Sequence, residues 1–221
     1  MSLEHRHAGV ILLGGAFLFA VLLVLFVLGP GSTGRATSGT QVRIVNATAY
    51  NCTVIGTVGY NIVSFPCISS AEARSTIVSD DGLWAMYQYT PSTADKWRVH
   101  NPNLPSWVVS DLQYLSRRAG YVLILNASAI YTVNGSLASS TDIPILAGWS
   151  LVGYPSNSTV PIASGIADVN ASLTEVRTYD PSAVGYRRYF VQGGTGNLTN
   201  LTPGIGYWMN GTAGTTWTVT P

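Results

Sequence analysis

The second half of this chain rewrites its first half, and that pattern governs what the chain can fold into. Gly59 to Pro66 (GYNIVSFP) returns as Gly148 to Pro155 (GWSLVGYP), 89 residues on. Tyr89 to Ser92 (YTPS) returns as Tyr179 to Ser182 (YDPS), with Trp97 and Tyr186 following at similar distances. Leu112, Leu115 and Gly120 to Leu123 (GYVL) match Leu198, Leu201 and Gly206 to Met209 (GYWM) at an offset of 86, and Tyr131 to Val133 matches Trp217 to Val219. Order and spacing are both kept, so the body reads as a tandem duplication covering about 53–138 and 139–221.

Within a copy, short β-branched and aromatic runs alternate with Gly, Pro, Asn and Ser, the pattern of strands and turns. In the first copy the predicted strands are Val42–Val45, Tyr60–Phe65, Trp84–Tyr89, Tyr121–Leu125 and Ile130–Val133. Ser70–Ser79 and Val160–Asn170 are expected as short helices or crossing loops. Val42 to Tyr50 has no partner in the repeat and is expected as an extra strand joined to the first copy through Cys52. The fold class expected is mainly β: an N-terminal transmembrane helix followed by two tandem small β-sandwich or barrel modules.

The sequence GWSLVGYP, the central YDPS with its following aromatic, and NLTNLTPGIGYWM resemble a repeated β-module of secreted and cell-surface proteins of archaea and bacteria. The match covers nearly all of the second copy and the first more loosely, where Ser116 to Gly120 (SRRAG) replaces the Pro-Gly turn. The resemblance implies a structural or adhesive building block at the cell surface, and it carries over no catalytic residue.

Ala8–Leu28 holds 21 residues without a charge, about 31 Å of helix against roughly 30 Å of bilayer hydrocarbon. The expected organisation is a cytoplasmic tail at 1–7, a transmembrane signal anchor at 8–28 contacting the lipid bilayer, and a flexible stalk at 29–41. The modules follow at 42–138 and 139–221. A cleaved signal is the alternative, but the run is longer than such cores and Gly29-Pro30-Gly31 follows it. Ala16 and Ala20 form a small-xxx-small spacing that leaves a homo-oligomer open.

Nine of the twelve Asn residues head an N-x-Ser/Thr triplet: Asn46, Asn51, Asn126, Asn134, Asn157, Asn170, Asn197, Asn200 and Asn210. Chance would give about two. All lie after the anchor, so the expected topology is a short cytoplasmic tail and a C-terminal extracellular body coated with N-linked glycans. Cys52 and Cys67, the only cysteines, are expected to form a disulfide there, the alternative being two free thiols.

Charged residues make up 10% of the chain and formal net charge is +1, which excludes a basic nucleic-acid binder. Such low charge suits an acidic exterior, and an archaeal cell surface or virion is the expected setting. His100 is the body's only histidine, so no metal site and no cofactor are expected. No nucleophile elbow or phosphate loop is present, and the chain is not expected to be an enzyme. Asp80-Asp81-Gly82 and Asp180-Pro181 read as turns. Arg187-Arg188 read as solvated edge charges. Trp149, Tyr207, Trp208 and Trp217 are expected in the core, whereas Trp107, in a stretch without a clear repeat, is the candidate exposed contact for a protein or glycan partner. The expected role is adhesion, envelope structure or recognition. A pilin-like or virion subunit with the apolar helix in an assembly core, and an accessory subunit of a membrane complex, are the alternatives.

Overall fold

The computed structural model describes residues 49–105 and 107–221. The expected tail 1–7, anchor 8–28, stalk 29–41, the strand 42–45 and Asn46 lie outside these residues. Among the described residues no helix is long and apolar enough to cross a membrane. The described residues form one compact unit, and it is mainly β.

In the first half β1 (Ala49–Gly56) pairs with β8 (Ala129–Ser136) as an antiparallel ribbon. A four-stranded sheet follows the order β2 (Gly59–Ser64), β7 (Gly120–Leu125), β4 (Leu83–Tyr89), β5 (Trp97–His100). Two-residue strands β3 (Glu72–Ala73) and β6 (Tyr114–Leu115) pair across one end, with α1 (Arg74–Ile77) behind β3. The second half runs through the same plan. Its ribbon is β9 (Thr141–Ile145) with β17 (Thr215–Val219). Its sheet is β10 (Gly148–Val152), β16 (Tyr207–Gly211), β12 (Leu173–Asp180), β13 (Gly185–Phe190), extended by β14 (Thr195–Gly196). Its short pair is β11 (Val160–Pro161) with β15 (Asn200–Leu201), beside α2 (Ile162–Gly165). Even the β-bulges coincide, at Leu83/Ala85 and at Leu173/Glu175.

The Cys52–Gly56 part of β1 has a counterpart in β9, since Val54 pairs with Tyr131 as Ile143 pairs with Trp217, in each case on the last strand of the repeat, while Ala49–Asn51 precedes that match. The sequence hid this because Thr53-Val54-Ile55 and Asp142-Ile143-Pro144 agree at no position in residue type; only their alternation of buried and exposed positions agrees.

Each half has its own core. In the first, Val54, Tyr131 and Val133 of the ribbon close over Val63, Met86, Leu123 and Leu125 of the sheet. In the second, Trp217 and Ile143 close over Val176, Tyr207 and Met209. A tyrosine hydroxyl braces each turn before the central strand. Ser116 N–H donates to Tyr121 Oη at 2.6 Å, and Thr202 N–H donates to Tyr207 Oη at 2.7 Å. Burial holds both phenols protonated, pushing Tyr207 up to about 12 and Tyr121 upward as well. The Cys52–Cys67 disulfide ties β1 to the segment after β2.

The halves are not independent beads. Ile62, Val122, Leu151 and Trp208, on the outer faces of the two sheets, form a third buried cluster. That is why GYVL and GYWM read as unbroken apolar runs: the strand is buried on both faces. Ser64 N–H donates to Gly204 O at 2.9 Å, and Gly153 N–H donates to Arg118 O at 2.9 Å, a reciprocal exchange between β2, β10 and the turns before the partner's central strand. Isolated bridges Val63–Ile205 and Ala119–Val152 repeat the reciprocity.

Candidate functional site

The halves differ most after β5. Ten residues, Asn101 to Ser110, join His100 to Asp111, whereas seven join the equivalent Tyr189 to Asn197. The ends of both connections are fixed alike: Asp111 Oδ1 accepts Val99 N–H at 2.8 Å, and Asn197 Oδ1 accepts Arg188 N–H at 2.7 Å. Each side chain thereby caps the open edge of its sheet.

The longer loop contains no charged residue. Pro105 O accepts Val108 N–H at 2.9 Å, making a turn at its tip. Trp107 is 82% exposed, Val109 72% and Leu104 44%. The base is tied down twice. Asn103 Nδ2 donates to the carbonyls of Leu83 and Trp84, and Trp84 is itself 42% exposed. At the other end His100 Nδ1 meets Ser110 Oγ at 2.9 Å, while His100 Nε2 meets Asp80 Oδ1 at 2.9 Å. Arg74 Nη1, on a largely buried side chain, donates to the same Asp80 oxygen at 2.8 Å.

This Ser110–His100–Asp80 chain has the hydrogen-bond order of an acyl-transfer triad. With Nε2 donating to Asp80, Nδ1 accepts from the serine. Arg74 changes what it can do, because a guanidinium on the same carboxylate oxygen already neutralises the charge that would stabilise an imidazolium. Burial disfavours the Asp80 carboxylate, but the His100 hydrogen bond and the Arg74 charge outweigh it and hold its pKa below the usual value. The network therefore joins α1, the turn before β4, the end of β5 and the end of the loop. The sequence reading missed it. The Asp80-Asp81-Gly82 turn is present, with Leu83 N–H on Asp80 O, but the Asp80 carboxylate turns to His100 and Arg74 instead of the backbone. The four residues lie up to 36 positions apart, and only the pairing of β4 with β5 assembles them.

Seven of the eight sequon asparagines within the described residues are exposed: Asn51, Asn126, Asn134, Asn157, Asn170, Asn197 and Asn200. Asn51 and Asn134 stand directly opposite each other on the β1–β8 ribbon. Asn210, in β16, is half-buried. No sequon lies between Asn51 and Asn126, the stretch that carries Trp84, Leu104, Trp107 and Val109.

Trp217 and Tyr207 are fully buried in the second core. Trp208 and Trp149 belong instead to the seam between halves, Trp208 buried and Trp149 half-buried. There Tyr60 meets Tyr179 edge-on at 4.8 Å and Tyr89 meets Trp208 at 5.1 Å. The Arg177 guanidinium lies 4.0 Å over Trp149 and 5.0 Å over Tyr186. Core duty was expected for Trp149 and Trp208 within one module; they serve the junction instead, because their strands present them on the outer sheet face. A cleft of about 420 Å3 at this junction is lined by Tyr89, Pro91, Arg118, Ile143 and Leu151. Arg187 and Arg188 are not simply solvated: Arg187 Nε donates to Asp180 at 2.7 Å, and Arg188 Nε lies 3.8 Å from Glu175. Among the described residues no group of three potential metal ligands comes together. Comparison with protein-family models, curated proteins and solved structures finds no match for this chain.

Proposed function

We propose that this is a membrane-anchored, N-glycosylated surface protein of two tandem β-modules, each a small sandwich, that acts in adhesion, envelope structure or recognition and not in catalysis. The observation that carries it is the placement of the sequons: they are spread over strands, turns and helix ends, yet seven of the eight described asparagines are exposed. Sequons arising by chance in a β-protein would be free to fall on buried strand positions. Residues 8–28 supply the anchor, and glycans supply the solubility that a body with few charges lacks.

Trp107 is the contact residue in this reading. An uncharged loop with an exposed Trp, in a stretch without glycan sites, has the composition of a binding hot spot. The Ser110–His100–Asp80–Arg74 network is its latch, which keeps the loop ordered before a partner arrives and lowers the entropic cost of binding. A surface assembly of the same kind as the resembled archaeal and bacterial modules fits this arrangement.

The test is purification of the native protein in mild detergent, with glycan-site mapping and an intact mass. Occupied sequons and an unprocessed N-terminus are expected. Binding of the glycosylated ectodomain to its cell surface should fall roughly tenfold or more on Trp107→Ala, with unchanged thermal unfolding. Bare asparagines throughout, or equal binding by the variant, would contradict the reading.

A further inference from the structure

Asn210 is the one sequon asparagine among the described residues that is half-buried and not exposed. In β16 its Cα partner on one side is Trp149 of β10, and on the other Glu175 of β12. Directly opposed residues share a face, with Cβ atoms about 5 Å apart, and Trp208, two residues earlier, lies on that face too. The equivalent residue in the first half is Ile124, which faces Tyr60 and packs against the seam cluster. The second half has thus replaced an apolar seam residue by Asn210-Gly211-Thr212. Beside it, Glu175 stands where the first half has Ala85, which brings in a polar mismatch. Glu175 Oε1 is buried without a hydrogen-bond partner, and Arg188 Nε lies 3.8 Å away, beyond hydrogen-bond distance.

We propose that Asn210 carries an N-linked glycan whose first sugar lies against the face of Trp149 opposite the Arg177 guanidinium, which covers the other face at 4.0 Å, and donates a hydrogen bond to Glu175 Oε1. The inference rests on the glycoprotein reading above. A sugar ring has an apolar C–H face suited to an indole and polar donors at its rim, so it supplies both what Ile124 supplies in the first half and what Glu175 lacks. Attachment forms the bond from Asn210 Nδ2 to the sugar C1 and breaks the C1–O bond of a polyprenyl-phosphate-linked donor. The lipid phosphate leaves, and Nδ2 gives up one proton. At Asn197 the same chemistry has a different outcome, because its side-chain carbonyl is already committed to Arg188 N–H and its sugar projects outward from the sheet edge.

The experiment compares full-length protein from its native, glycosylating source with the same chain made in a host that lacks N-glycosylation. Site mapping should find Asn210 occupied. Asn210→Gln and Thr212→Ala remove the sugar through different atoms, and both should lower Tm by about 2–4 °C more in glycosylated material than in the non-glycosylated chain, where Thr212→Ala removes only the hydrogen bond that Thr212 Oγ1 donates to Ser172 O at 3.3 Å. Combined with Trp149→Ala, the loss should disappear, since the sugar then has no ring to rest on. Other sequons occupied with Asn210 bare would overturn this inference and leave the glycoprotein reading standing. So would an Asn210→Gln effect that persists in the absence of Trp149 or of glycans. No occupied sequon at all would overturn both.

Discussion

Asp180 shows how a turn residue is put to work. Its carboxylate accepts the Ser182 hydroxyl at 2.7 Å, Arg187 Nε at 2.7 Å and the Ser182 N–H at 2.9 Å. Led by the Ser182 hydroxyl and then the Arg187 hydrogen bond, these contacts lower its pKa from 3.8 to about 2. A folded pKa below the unfolded one means stabilisation that is complete above about pH 4 and lost as pH falls toward about 2. Asp180 is half-buried but its partner Arg187 is exposed, so solvent screens the pair and the contribution is small and salt-sensitive. Ser182→Ala should raise the Asp180 pKa toward its ordinary value in an NMR titration and move the acid loss to higher pH; an unshifted titration would refute the assignment. Asp80 titrates in the same direction. Acid that protonates it also releases His100 and Arg74, and with them the base of the Trp107 loop.

Among the elements, the central strands β7 and β16 govern the architecture, because each is buried on both faces and is entered through a glycine pressed against the other half, Gly120 at the first position of β7 and Gly206 just before β16. A Cβ on Gly206 would stand 2.7 Å from Val63 O, and one on Gly120 would stand 2.7 Å from Val152 O. These are backbone atoms, so the clash can be relieved only by parting the reciprocal bridges. Gly206→Ala should destabilise the fold by about 1–3 kcal/mol, measured by denaturant unfolding. Gly214→Ala, with nothing within 4 Å of the added carbon, is the control and should stay within about 0.5 kcal/mol of the parent. Equal behaviour of the two would remove the seam from the explanation.

The whole molecule depends on that seam. Burial of Ile62, Val122, Leu151 and Trp208 contributes about 1.5–3 kcal/mol per side chain, which is large against a total stability of about 5–15 kcal/mol. Residues 139–221 expressed alone would expose Trp208, Leu151, Trp149 and Tyr179 as one apolar patch. The isolated half should therefore self-associate in light scattering, and an excess of 46–138 should compete with that association by rebuilding the seam. A monomeric, fully stable 139–221 would show that the halves are independent after all.

The repeats themselves determined a great deal. Matching GYNIVSFP with GWSLVGYP located β2 and β10, and matching GYVL with GYWM located β7 and β16, because local alternation and turn chemistry act over a few residues. The sequons and the cysteine pair were legible for the same reason. Trp107 stood out by lacking an equivalent. What only the tertiary structure decided is which outer faces meet. Trp208 reads like a core residue in either setting, and nothing in its neighbours distinguishes its own module's interior from the junction. The His100 network and the Asn210–Trp149–Glu175 niche also needed the fold, since each is made by strands whose pairing is set by long-range burial and not by the residues that end up touching.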